Sequence, residues 1–393
     1  MTRQLPLNAL AFAFACGRDD PADTGSQTAD PPDPTVDTPD TDTTDTTDTT
    51  DTTDTDPPTG VTGGVVDAFG TSQDFVVVGS RADGLRIPRD LAFDPLDPEL
   101  LWTVNQETDG VVLFRAPGEP AQDVDARVDF DANHFMEEVS SIALSQDDAL
   151  FGSCQESRNT YDNQAPPNDF MGPVLWPSDL SVFAVVDGGL GSHVDMLHES
   201  PLCMGIEWDT GNAYWVFDGL NENLVRYDFQ VPHKVGKDDH SDGVVERHTD
   251  VALTRVAGVP GHMALDRASG ILYVADTGTG RVLAVDPATA GSVGKLFSVS
   301  EVLDSYTEWN GATVTVLASG LTEPSGIAVA DGLVFVSDHG TGEILAFDAA
   351  GTEFGRIALP DGPGVMGIEI APDGKLWYVD GVHETLVRVD AIP

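Results

Sequence analysis

One pattern of three short strands occurs six times in this chain, and that repetition restricts the fold more than any other feature. Residues 260–286 (PGHMALDRASGILYVADTGTGRVLAVD) give the clearest copy. An alternating segment runs into a turn at Arg267–Gly270. Ile271 to Ala275 ends at Asp276, and Gly-containing turn residues then precede Val282 to Val285. β-branched and aromatic runs bounded by Gly, Asp and Ser are the signature of strands joined by tight hairpins. Residues 324–348 (PSGIAVADGLVFVSDHGTGEILAFD) and 365–390 (VMGIEIAPDGKLWYVDGVHETLVRVD) repeat it closely. Looser copies occupy 203–228 and 88–114, and an interrupted one starts at Val139. A unit that cannot bury its apolar face alone must stack against its neighbours, so six copies imply a repeat architecture.

The order Pro-x-Gly-Ile-x-Val, Gly turn, Leu-Tyr-Val-x-Asp, short turn, strand resembles the NHL repeat. The resemblance covers roughly Asp74 to Pro393 and implies an all-β, six-bladed β-propeller. It also brings in gluconolactonase-like and peptidylglycine-lyase-like propellers as relatives. Such folds carry lactonases, lyases and pure binding modules, so the resemblance leaves the activity open. The last repeat ends without a fourth strand, and an orphan strand at Asp74–Gly79 precedes the first. The orphan is therefore expected to close the last blade and remove its exposed edge.

The domain is assigned to residues 64–393. Before it, residues 1–16 carry Arg3, an apolar run and Ala13-Phe14-Ala15-Cys16. This reads as a signal segment ending in a lipoprotein box with Cys16 lipidated, or as an ordinary signal peptide. Residues 17–63 are Asp, Thr and Pro repeats that cannot bury enough apolar surface to order themselves, a stalk between membrane and domain. The expected location is thus the cell envelope (outer membrane or cell surface) or the periplasm, with membrane contact only through the lipid. The chain has 66 acidic against 19 basic residues, a net charge of −47. So acidic a chain argues against nucleic acid and anionic headgroups as partners. A small-molecule or peptide ligand or an envelope protein fits better, on a monomer.

Strand-one starts and strand-two ends should surround one mouth of the central channel. Residues 155–179, with Arg158, Tyr161, Phe170 and Trp176, interrupt blade two and are expected to cover that mouth. Residues 231–243 and 287–311 should emerge on the opposite face. Six equivalent positions hold Asp90, Ser141, Gly205, His262, Gly326 and Gly367. His262 is the large exception, either a group that changes protonation near neutral pH or a hydrogen-bonded structural histidine. Arg89, Arg158 and Tyr161 beside it would orient an anionic ligand, unless the arginines pair with neighbouring acids. The recurring aspartates at strand-two ends read first as turn-shaping acceptors.

Gluconolactonase-type resemblance implies a metal held by a Glu near a blade start with Asn and Asp from other blades. Glu138, Asn105, Asn159 and Asp218 are of that type, an oxygen set suited to Ca²⁺ or another hard divalent ion. Asp238, His240 and Asp242 resemble a calcium loop, with a solvated polar loop as the alternative. His233, His240 and His248 could instead hold zinc. No organic cofactor motif is present. Cys154 and Cys203 fall on one face of neighbouring blades, where an oxidising compartment would allow a disulfide. The reading is a binding module for a small ligand or peptide. The alternative is a divalent-metal-dependent hydrolase (lactonase-like) or lyase.

Overall fold

Each repeat becomes one antiparallel blade, because its alternating apolar residues can be covered only by the blades on either side. The structure, a computed structural model, describes residues 65–70, 72–158, 169–298 and 300–392. The signal segment with Cys16, the linker, Asn159 and Tyr161 lie outside the described residues. Six sheets form a closed six-bladed propeller. Blade one runs Pro88–Asp94, Asp97–Asn105, Gly110–Arg115, Asp123–Arg127, innermost strand first. In blade six, Ser72–Gly79 pairs antiparallel with Thr385–Ile392, outside Leu376–Asp380 and Val365–Ile370. The orphan strand thus closes the ring as the repeat count requires. A short helix, Val65–Gly70, precedes it and sets Phe69 against Phe335, with ring centroids 5.5 Å apart.

The core lies between blades rather than inside any one of them. Trp102 of blade one packs on Phe151 of blade two, and Phe183 joins both. Tyr214, Ile206 and Val216 of blade three meet Ala143 and Leu175 of blade two. Trp176 was expected in a covering loop. It instead sits in the third strand of blade two, Val174–Pro177, fully buried and donating from Nε1 to Ser153 Oγ at 2.8 Å. A large apolar ring beside an alternating run joins the sheet because burial outweighs the loop-like composition around it.

Blade three is wider than the others. The excursion after blade four contributes Gly291–Lys295 and Ser305–Asn310, and the latter pairs in parallel with Val244–Ala252. Blade three therefore has six strands, and its outermost edge belongs to chain that left blade four. Residues 231–243 fold beside it against blade two, where His233 N donates to Val194 O and Gly236 N donates to His193 O, both at 2.9 Å.

Candidate functional site

The innermost strands present alternate residues to the channel, so a position every two residues forms a ring. The first ring, at the strand starts and one residue before that alternation begins, is Arg89, Ser140, Met204, Gly261, Ser325 and Met366, all of them buried. Arg89 is fully buried. Its Nη2 donates to Glu156 Oε2 at 2.7 Å and its Nη1 to Gln106 Oε1 at 3.0 Å. Glu156 also accepts from Arg255 Nη1 and Gly258 N, each at 3.0 Å. Blade-to-blade hydrogen bonds knit the same level. Ser140 Oγ donates to Cys203 O at 2.7 Å, and Thr277 Oγ1 to Pro324 O at 2.8 Å. Cys154 and Cys203 are joined there by a disulfide, their Cα atoms 5.5 Å apart.

Two rings further along, the channel opens. The third ring is Ala92, Ala143, Glu207, Ala264, Ala328 and Glu369. Four methyl groups leave a cavity of about 520 Å³ that opens on the face opposite the one expected, and all six residues line it. Glu207 and Glu369 come from blades three and six, which face each other across a six-fold ring. Burial, with repulsion from Asp90 and Asp209, pushes the Glu207 carboxyl up to about 8, against the opposing pull of Arg267. Burial followed by the charges of Asp90 and Glu207 does the same to Glu369, also to about 8. Arg267 Nη2 stands 3.4 Å from Glu207 Oε1, while its guanidinium stacks on Trp208 at 4.1 Å. Glu369 has no hydrogen-bond or ion-pair partner among the described residues.

The second ring separates plug from cavity. Asp90 Oδ2 accepts from Ser141 Oγ at 2.7 Å and Ile142 N at 3.0 Å, and its Oδ1 lies 3.5 Å from His262 Nδ1. His262 Nε2 is 3.1 Å from Ser140 O. His262 therefore lines the cavity with its ring already engaged on both sides.

The remaining expected residues are not brought together around this cavity. Arg89 and Asn105 do not line it, and Arg89 is bound to Glu156. Arg158 forms an ion pair with Asp169, away from the channel cavity. Asn105 receives Arg86 N on Oδ1 and donates from Nδ2 to Gly84 O. Asp218 receives Leu220 N, Asn221 N and Arg247 Nη1. Glu138 sits by the plug, its pKa raised by burial and by Glu156 and Asp109. Asn105 and Asp218 thus spend their oxygens on backbone and arginine donors rather than on a shared ligand point. Among the described residues, Asp238, His240 and Asp242 do not converge as a ligand group: Asp242 Oδ2 accepts Val231 N at 3.1 Å, and His240 turns toward His193 and His233 instead. His248 packs on Trp215 rather than joining them.

Glu207 and Glu369 were legible in the sequence as the two charged exceptions in an alanine ring. His193 and Glu301 carried no such signal, since both lie outside the repeats.

The solved structures resemble this propeller. An auxiliary nutrient binding protein from Bacteroides ovatus superposes with a TM-score of 0.54 at 9% identity, over 82% of this chain and 78% of that one. A luciferin-regenerating enzyme gives 0.52 at 12%, over 82% and 96%. A gluconolactonase from Xanthomonas campestris gives 0.48 at 14%, over 83% and 92%. At these identities the likeness establishes the six-bladed fold alone. No protein-family model matches the sequence, and no curated protein is significantly similar to it.

Proposed function

We propose that this propeller is an exported, lipid-anchored binding module whose channel takes a small organic cation, an amine carried on a compact body. The observation that carries the reading is Glu369, without a partner among the described residues and facing Glu207 across a ring otherwise made of alanines. Two recessed carboxyls that repel one another need a positive charge between them, and a proton meets that need until about pH 8. An ammonium group would displace the proton and be held by charge-assisted hydrogen bonds. The Cys154–Cys203 disulfide suits an oxidising compartment and so supports export.

Calorimetric titration with butylamine, cadaverine and glucono-δ-lactone tests this. The amines should bind with proton release and an affinity that rises between pH 6 and 9, and Glu369→Gln should weaken them at least tenfold. Amines that do not bind, or that bind a Glu207→Gln/Glu369→Gln variant equally well, would sink the reading.

A second reading is catalytic. A carboxyl that keeps its proton to about 8 can act as a general acid at neutral pH, the equipment of a lactone hydrolase or a lyase. Turnover of a lactone that falls as pH passes 8, and that is lost in Glu369→Gln, would favour it. For the anchor, a palmitate label that enters the wild type and not Cys16→Ser is the expected result.

A further inference from the structure

Away from the channel, residues 231–243 press against the outer strand of blade two and bring His233 and His240 to His193. One ring nitrogen from each lies within 4.8 Å of the other two. The His193 and His233 rings are 5.0 Å apart, and those of His233 and His240 are 5.7 Å apart.

The hydrogen bonds fix which nitrogen is available. His193 Nδ1 is 2.7 Å from Leu190 O and His233 Nδ1 is 2.8 Å from Lys234 O. A carbonyl only accepts, so both Nδ1 atoms carry the proton and donate. His240 Nδ1 lies 3.0 Å from Glu301 Oε2 and donates to that carboxylate in the same way. Each ring is left with an unprotonated Nε2 lone pair. All three Nε2 atoms are shielded from solvent and have no hydrogen-bond partner.

A buried acceptor without a donor is unfavourable, and three of them at one point call for a common partner. A proton would satisfy one ring and repel the next. A divalent transition metal satisfies all three. The arrangement also matches how metal-bound imidazoles are held, with the far N–H on a carbonyl or carboxylate that sets the tautomer and the ring angle.

We propose that His193, His233 and His240 bind a zinc ion through Nε2, with Glu301 as the residue that positions His240. Three neutral nitrogens suit zinc, whereas calcium requires oxygens. Zn–N bonds of about 2.0–2.1 Å would draw the rings together, leaving a fourth position for water. The ion would tie residues 231–243 to blade two, and the carboxylate comes from the hairpin that widens blade three. Three segments outside the repeats would then be fastened at one point.

The test uses the untagged full chain, stripped with a chelator and titrated with zinc and with cobalt(II). One equivalent of zinc should bind. Cobalt should give the intense visible bands of a four-coordinate site, and X-ray absorption should show three imidazole nitrogens at about 2.0 Å. His233→Ala and His240→Ala, less buried than His193, should each weaken zinc at least tenfold while melting like the chelated wild type. Glu301→Gln should weaken it about tenfold without changing the coordination number. Glu207→Gln/Glu369→Gln should bind zinc as the wild type does, so failure here is separable from failure of the channel reading. Uptake that is absent, that survives in His233→Ala/His240→Ala, or that shows mainly oxygen ligands would overturn the proposal.

Discussion

The two ends of the channel are made by the same six strands and could hardly differ more. At one end the ring contains Arg89, fully buried and bound to Glu156 and Gln106, with Glu156 in turn bound to Arg255. Two rings further along, four alanines leave about 520 Å³ of space with Glu207 and Glu369 on opposite walls. At the closed end Arg89 and Arg255 are both in contact with the opposite charge of Glu156. At the open end two carboxyls face each other, and burial first and neighbouring acids second raise their pKa values to about 8. Charge at the first end is structural and at the second is available to a ligand. A buried charge that is already paired is therefore a poor guide to where a ligand binds.

The largest effect should follow from breaking the plug. Glu156→Ala leaves the fully buried Arg89 unpaired, and a loss of about 3–5 kcal/mol is expected by urea titration. An unchanged midpoint would mean that the closed end is not held by this pair.

Opening the disulfide acts on the same end and should be milder. Cys154→Ser/Cys203→Ser frees a loop spanning 49 positions, and about 2–4 kcal/mol should be lost while amine binding at the open end persists. Loss of that binding would show the two ends to be coupled.

At the open end the sign reverses. The Glu369 carboxyl titrates at about 8 in the folded protein, above its unfolded value of roughly 4.3. Its contribution to stability is fully present below the unfolded value and is lost as pH rises through 8. Glu369→Gln removes that loss, so its melting temperature should exceed the wild type's at pH 9 and equal it at pH 4. A variant no more stable at pH 9 would place the carboxyl in a better-solvated setting. The smallest effect belongs to Arg158→Ala. Its ion pair with Asp169 is solvated, and neither melting temperature nor amine affinity should move measurably.

The arrangement of blades was legible because each repeat carries its own strand and turn signals, and six copies confirm one another. Closure by Ser72–Gly79 followed from counting strands. The strand-two aspartates do act as local acceptors, Asp338 for Gly340 N and Asp380 for Val382 N and His383 N, but Asp338 also takes Thr322 N and Glu323 N from before its blade's first strand. The channel site was only half legible. Alignment of the repeats predicts which residues share a ring, and it isolates Glu207 and Glu369 as well as His262. It could not say which end of the channel is open, because the plug depends on Glu156 and Arg255. These two residues occupy no equivalent repeat position, and Glu156 meets both Arg89 and Arg255 only once the ring has closed.

The histidine cluster lies further still from what a linear reading reaches. Residues 193, 233, 240 and 301 come from three segments without repeat signal, and pairing of Ser305–Asn310 with Val244–Ala252 sets the last beside the others. The sequence by itself determined the number of blades, the order of strands within each and the alternation that selects channel-facing residues, since these depend on short-range periodicity. Only the tertiary structure decided which charges find partners, which end stays open and which histidines converge. Those outcomes depend on distances between residues far apart in the chain, and periodicity carries no information about them.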